Sequence, residues 1–104
     1  MPPVTITRHE TADSGEYHAH IPGTDTIGRL TWVLQRLQKG GLQERTRVAE
    51  HTLVPPEIAG QGIAAKLVEA LIEDARAQGF RIVPACSYVA AAFARHPEWA
   101  DLRA

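Results

Sequence analysis

Apolar and polar residues alternate along most of the first half of the chain, with a period of two. In the segment 26–37, Leu30, Trp32 and Leu34 fall on one alternating face. Because successive side chains of a β-strand point to opposite faces, this period predicts strands. The predicted strands are 4–10, 16–21, 26–37 and 44–54, with turn segments at Thr-Ala-Asp-Ser-Gly (11–15) and Lys-Gly-Gly (39–41).

The period changes after residue 62. Between Ile63 and Gln78, polar and apolar residues recur at spacings of three and four, which predicts an amphipathic helix. Gly79 follows as a residue that commonly ends a helix. The polar stripe consists of Lys66, Glu69, Glu73 and Arg76, and the apolar face of Leu67, Val68, Leu71, Ile72 and Ala75.

Two shorter elements follow this helix. Segment 80–85 is apolar and bounded by proline, which favours a strand, and segment 87–95 predicts a short helix with Ser87 as its N-cap. This order of elements predicts an α+β fold. Its sheet is mostly antiparallel, with one crossover that places strand 44–54 parallel to strand 80–85. A length of 104 residues predicts one domain, 1–104.

Composition narrows the functional class. The chain is 44% hydrophobic and 22% charged, and its formal net charge is −1. Because positive charge is not in excess, the composition does not indicate a nucleic-acid-binding or membrane-surface protein. No apolar run approaches the length of a membrane span, and the first ten residues do not form a signal peptide. Cys86 is the only cysteine, which excludes an internal disulfide and predicts a cytoplasmic location.

A glycine turn at Gly60-Gln61-Gly62 carries the strongest functional signal. It separates the predicted strand 44–54 from the predicted helix, and two prolines precede it. Backbone N–H groups of a glycine-rich turn at a helix N-terminus can hold a phosphate, because no Cβ blocks the approach.

Several phosphate-binding motifs compete for this segment. A P-loop requires a lysine and a serine or threonine directly after its second glycine, and neither is present. A relaxed dinucleotide fingerprint is satisfied by Gly60, Gly62 and Ala65, but no acidic residue ends the next strand, and too little chain follows for a doubly wound sheet. The glycines also fit a plain tight turn without a ligand.

The longer sequence Val-Pro-Pro-Glu-Ile-Ala-Gly-Gln-Gly-Ile-Ala resembles the acyl-CoA-binding motif of the GNAT superfamily of N-acetyltransferases, Gln/Arg-x-x-Gly-x-Gly/Ala. Glu57 occupies the leading Gln/Arg position, which is a departure. Segment 51–99 is similar to a small single-domain subgroup of that superfamily. The shared features are a His-Thr pair before the loop, then Pro-x-Cys-x-Tyr-Val, then Arg-His-Pro.

The resemblance implies a GNAT-like sheet whose parallel strand pair is splayed around acyl-CoA. It implies transfer of an acetyl group from acetyl-CoA to an amine acceptor, either a protein lysine or a small amine. The expected contacts with acetyl-CoA are Val54, Ala59, Gly60, Gln61, Gly62, Ile63, Ala64, Ser87, Phe93 and Arg95. No metal is expected.

Cys86 is the main catalytic candidate. Larger members of the superfamily often use a tyrosine as proton donor, but that position falls on Phe93, and Tyr88 lies a helical turn or more too early. The resemblance implies a catalytic role for Cys86, as proton donor or as acetyl-accepting nucleophile. A helix N-terminus after the strand 80–85 would lower its pKa. A buried structural cysteine is the competing hypothesis.

His51 and Glu50 are candidates for the base. His51 lies on the strand that leads into the glycine turn, and we expect it to face Cys86 across the sheet. Glu50 is a second candidate, because larger members carry a glutamate on this strand. Strand alternation predicts that Glu50 and His51 point to opposite faces.

Other polar and aromatic residues have simpler interpretations. His18 and His20 have metal-ligand spacing on one strand face, but the sequence shows no third ligand, so a solvated strand face is the favoured interpretation. Trp32 and Trp99 are expected in core or edge packing. Arg95 and His96 are expected to cap the last helix.

Two alternatives to an acetyltransferase stay open. One is a CoA-binding sensor or interaction module with little or no catalysis, because the short first half leaves few residues to form an acceptor pocket. The other is an α+β interaction domain whose glycines only turn the chain.

Overall fold

The computed structural model describes residues 3–36 and 42–104. In these ranges the strands form one sheet, and strands that follow each other along the chain are neighbours in the sheet. The predicted turn at 39–41 lies outside the described residues. The strands are β1 (Thr5–Glu10), β2 (Ser14–His20), β3 (Ile27–Arg36), β4 (Leu42–Leu53) and β5 (Arg81–Pro84). The helices are α1 (Ile63–Gln78) and α2 (Ser87–Arg95), with 3₁₀ helices at Pro56–Ile58 and Pro97–Leu102.

The predicted topology is confirmed. Strands β1 to β4 pair antiparallel in sequence order, and β5 joins β4 in parallel after the crossover through α1. The parallel pairing is short and runs from Thr46 opposite Arg81 to Ala49 opposite Pro84. None of the helices in the described ranges is long and apolar enough to cross a membrane.

Helix α1 covers one face of the sheet. That face carries the buried side chains of Tyr17, Ala19, Leu30 and Trp32. A Cβ added to Gly28 on β3 would lie 2.8 Å from the Ile63 side chain, so this glycine permits the close approach of α1. Both ends of α1 match the prediction, and Gly79 adopts φ +77° with its N–H bonded to the carbonyl of Ala75.

A buried carboxylate ties α1 to the first hairpin. Asp74 is 8% exposed, and both of its oxygens are bonded. Arg8 donates to them at 2.8 and 3.1 Å, and the Tyr17 hydroxyl donates at 2.7 Å. Burial and this bond to Asp74 raise the pKa of Tyr17, so its hydroxyl stays protonated.

The two tryptophans have the packing roles predicted for them. Trp32 is buried under α1, and the Arg47 guanidinium lies 3.9 Å from its ring centre and 4.0 Å from that of Phe80. Trp99 is partly buried and stacks on His96 with ring centres 4.0 Å apart.

Candidate active site

The glycine turn is held in place by two buried isoleucines. Ile58 ends a 3₁₀ helix, Ile63 begins α1, and each is 2% exposed. Between them, Gly60 and Gly62 adopt φ values of +81° and +73°, which side chains with a Cβ rarely tolerate. The turn therefore presents the first N–H groups of α1, which lack intrahelical partners, at a fixed position on the surface.

A cavity of about 250 Å³ lies over this turn. Six of the predicted cofactor contacts line it, and Gln61 lies within the same turn. Ala65 and Tyr88 also line the cavity and were not predicted, because both belong to helix faces that meet only in the folded chain. The predicted residues in the lining are Val54, Ala59, Gly60, Gly62, Ile63 and Ala64.

A smaller cavity of about 100 Å³ continues between α1 and α2 and shares Ala65 and Tyr88 with the first. Arg95 lines this second cavity, as does Trp99. Phe93 does not, because its side chain is 6% exposed and packs edge-on against Trp99.

The N-cap of α2 differs from the prediction. Cys86, with extended backbone angles, is the N-cap, and Ser87 is the exposed first residue of the helix. The helix itself covers the predicted segment 87–95, while the strand before it ends one residue earlier than expected, at Pro84. The prediction of Ser87 as N-cap is therefore wrong.

Strands β4 and β5 separate beside this cysteine. The Cys86 N–H donates to the carbonyl of Ala49 at 2.9 Å. Among the residues that the structure describes, this is the last backbone bond between β4 and the segment that follows β5. Beyond Ala49, β4 continues to Leu53 paired only with β3 in the described part of the chain. The sheet thus opens into a wedge, with β4 on one side and the start of α2 on the other.

The Cys86 thiol lies within this wedge. Its Sγ atom is 3.5 Å from Oγ1 of Thr52, on the face of β4 that α1 covers, because Thr52 pairs with the buried Leu30. Burial alone would raise the pKa of Cys86. Bonds from the Thr52 hydroxyl and from the N–H groups of Val89 and Tyr88 outweigh it and lower the pKa below the ordinary value for a thiol.

Replacing Thr52 with valine tests this arrangement. The change removes a hydroxyl that donates to the thiolate, so the pKa of Cys86 should rise and less thiolate should form near neutral pH. The midpoint of the pH profile for iodoacetamide labelling should therefore move to higher pH. Thr31→Val is the matched control, since Oγ1 of Thr31 has no hydrogen-bond partner among the described residues. An unshifted profile in Thr52→Val would contradict the assignment.

A β-bulge at Glu50 changes the predicted positions of both base candidates. Thr31 pairs with His51 and Trp32 with Ala49, which leaves Glu50 as an extra residue on β4. Residues paired across antiparallel strands share a face, so His51 lies with Thr31 on the face that α1 does not cover. Glu50 lines a cavity on that same face, together with Thr31.

Two expectations about His51 are therefore wrong. Glu50 and His51 point to the same face, because the extra residue at Glu50 interrupts the alternation of side chains along β4. His51 does not meet Cys86, since the thiol approaches β4 from the α1 side and contacts Thr52 instead. Both candidates are exposed, and their roles as bases stay predictions.

The histidine pair on β2 gains a third member. His9, on β1, lies with its ring centre 4.0 Å from that of His18, and His20 is on the same strand face as His18. A third candidate ligand, which the sequence did not show, therefore lies beside His18 and His20. The signal was missed because His9 belongs to a separate strand, and only the β1–β2 register brings it alongside.

Comparison with known families agrees with this geometry. A family model described as GCN5-related N-acetyl-transferase matches residues 16–102, which is 87 of the 104 residues. The chain belongs to the GCN5-related N-acetyltransferase family. The match extends from β2 through the second 3₁₀ helix, so it includes the glycine turn and the wedge at Cys86.

Family membership defines the general activity class. GCN5-related N-acetyltransferases use an acyl-CoA, generally acetyl-CoA, as cosubstrate and an amine as acceptor. The family match thus confirms that segment 51–99 belongs to a GNAT protein, and the observed sheet and helices confirm the predicted fold.

Proposed function

We propose that this protein binds acetyl-CoA across the glycine turn and transfers the acetyl group to an amine. The observation that carries the proposal is the position of the cavity beside Cys86. Val54 lines the cavity two residues after Thr52, and Tyr88 lines it two residues after Cys86. The cavity thus begins where the Cys86–Thr52 pair ends, which fits a long ligand with phosphates at one end and a thioester at the other.

The pyrophosphate of acetyl-CoA is assigned to the turn. A Cβ at Gly60 would meet no atom within 4 Å, so there is open space above the backbone at this position. The N–H groups of Gly60, Gln61, Gly62, Ile63 and Ala64 are the proposed donors, at the positive end of the α1 dipole. Glu57 supplies no positive charge there, so most of the affinity is assigned to backbone amides.

The arm that links the phosphates to the thioester is assigned to the wedge. In the described structure β4 has no β5 partner after Ala49. An extended ligand that carries amide groups can pair with such a free strand edge, as peptides do when they add a strand to a sheet. This path leads the thioester toward Cys86 and Thr52.

Cys86 is the proposed catalytic residue, with two chemical routes. In the first, the neutral amine attacks the thioester carbonyl, the C–S bond breaks, and the Cys86 thiol gives its proton to the CoA thiolate. In the second, the Cys86 thiolate attacks the carbonyl and CoA leaves as a thiolate. The amine then attacks the S-acetyl group and restores the Cys86 thiolate. In both routes the amine loses a proton. The proposed acceptor of this proton is His51 or Glu50, acting through a water molecule.

Calorimetry and a transfer assay test the proposal together. Acetyl-CoA should bind saturably at one site per chain, whereas NADH, which carries a pyrophosphate without the thioester arm, should bind far more weakly. Acetyl transfer is then measured by mass spectrometry on a lysine-containing peptide and on a polyamine. Binding without transfer to any amine would support a CoA-binding module instead. If acetyl-CoA does not bind, the proposal is contradicted, and a plain interaction domain is favoured instead.

A further inference from the structure

The geometry points to a metal site on the open face of the sheet, formed by His9, His18 and His20 and suited to a divalent cation of the zinc class. One ligand atom from each of these residues lies within 4.8 Å of those of the other two. They are three of the five histidines in the chain. Imidazole nitrogen is a preferred ligand for Zn²⁺, and three histidines with an open fourth position form a recurrent zinc site.

Strand register brings these three side chains together. His18 and His20 are two residues apart on β2, so both point away from α1, because Tyr17 and Ala19 between and beside them point toward it. On β1, His9 pairs with Glu16, and Thr7 pairs with His18, which places His9 on the same face and diagonal to His18. The ring centres of His9 and His18 are 4.0 Å apart, and those of His18 and His20 are 6.3 Å apart.

Side-chain rotation alone can bring one nitrogen of each histidine to the spacing that a bound metal requires. Tetrahedral Zn²⁺ holds nitrogens at about 2.0–2.1 Å, which places neighbouring nitrogens about 3.4 Å from each other. The present separations are at most 4.8 Å, so χ1 and χ2 rotations need to close a gap of no more than about 1.4 Å. The backbone needs no movement, because six consecutive residue pairs hold β1 against β2.

Neighbouring polar groups already orient the rings. Oε1 of Glu16 lies 2.8 Å from Nε2 of His18, and Oγ1 of Thr7 lies 2.9 Å from Nε2 of His9 and 2.8 Å from Nε2 of His20. Metal-binding histidines usually donate the other ring N–H to a carboxylate or a similar oxygen. With Nε2 of His18 donating to Glu16, Nδ1 of that ring keeps the lone pair that a metal requires.

The surroundings leave room for a fourth ligand. A cavity of about 740 Å³ lies beside His9 and His18 on this face and is lined by Glu16 and Glu50 as well. A water molecule or a carboxylate oxygen can therefore complete the coordination. This face is opposite to the one that α1 covers, so the site is separate from the glycine turn and from Cys86.

Titration of chelator-treated protein with ZnCl₂ in a calorimeter tests the site. We expect one Zn²⁺ per chain. His9→Ala, His18→Ala and His20→Ala should each weaken binding by about tenfold or more, since loss of a ligand should cost at least as much as loss of a group that orients one. His96→Ala is the matched control, because His96 stacks on Trp99 and lies outside the cluster. Its zinc affinity should equal that of the unchanged chain.

Stoichiometry and thermal unfolding provide independent readouts. ZnCl₂ should raise the Tm of the unchanged chain and of His96→Ala, but not that of a variant with all three histidines replaced. All variants should keep the circular dichroism spectrum of the unchanged chain in the absence of metal. A ratio of one Zn²⁺ per two chains, with a dimer on a sizing column, would overturn the intrachain site. Equal zinc affinity in the three alanine variants and in the control would overturn it as well.

Discussion

Replacing Cys86 with alanine is expected to reduce acetyl transfer by about 10²-fold or more, with the affinity for acetyl-CoA nearly unchanged. The reason is the position of the thiol at the wedge between β4 and α2, with a lowered pKa and with Thr52 as its side-chain partner. The cavity at the glycine turn does not include Cys86 in its lining, so ligand affinity should depend little on this residue. Turnover and calorimetry on the same preparation measure the two effects separately.

Cys86→Ser separates the two chemical routes. Serine keeps a hydrogen-bonding group of similar size, so it should restore part of the activity if Cys86 acts as a proton donor but not if it acts as a nucleophile. Brief exposure of the unchanged protein to acetyl-CoA, followed by mass spectrometry, should reveal an acetyl adduct on Cys86 only for the nucleophilic route. An alanine variant with full turnover per folded molecule, destabilised by about 1 kcal/mol, would identify Cys86 as a structural residue.

The limits of α1 followed from the sequence because two local signals agreed. The apolar spacing defined a helix from Ile63 to Gln78, and glycines stand directly before and after it. Gly62 and Gly79 both adopt positive φ, a conformation that glycine reaches without a steric penalty. The strand limits were less accurate, by up to two residues, since strand ends depend on pairing partners that the local sequence does not specify.

The bulge at Glu50 could not be predicted from the local sequence. Alternation along β4 assigned Glu50 and His51 to opposite faces, but one extra residue opposite β3 reverses the faces for the rest of the strand. Whether a strand contains such a residue depends on its register with the neighbour. As a result, Thr52 rather than His51 meets Cys86, and the thiol partner could not be predicted from the chain alone.

Asp74 was missed for a related reason. It is a charged residue directly after Glu73 of the polar stripe, yet its side chain lies on the buried face of α1 with Leu67 and Leu71. Its partners, Arg8 and Tyr17, lie 66 and 57 residues away in the sequence. A buried carboxylate is tolerated when such partners satisfy its oxygens, and that condition is visible only in the folded protein. The same holds for His9 beside His18.

Replacing Gly62 with valine is expected to weaken acetyl-CoA binding by about 10²-fold, or roughly 2.7 kcal/mol. Gly62 is the N-cap of α1 and lines the cavity at the turn, so a branched side chain there would occupy the space assigned to the pyrophosphate. It would also push the backbone away from φ +73° and turn the amide donors out of position. Calorimetric titration with acetyl-CoA measures the loss.

Gly79 provides a matched control for the backbone strain. It adopts φ +77° at the other end of the same helix, and a Cβ there would meet no atom within 4 Å. Gly79→Val should therefore destabilise the fold by about as much as Gly62→Val, on the order of 1–2 kcal/mol, while acetyl-CoA affinity stays at the level of the unchanged chain. If both valine variants lose affinity equally, the effect arises from the stability of α1. If a folded Gly62→Val variant binds acetyl-CoA normally, the pyrophosphate does not lie on this turn.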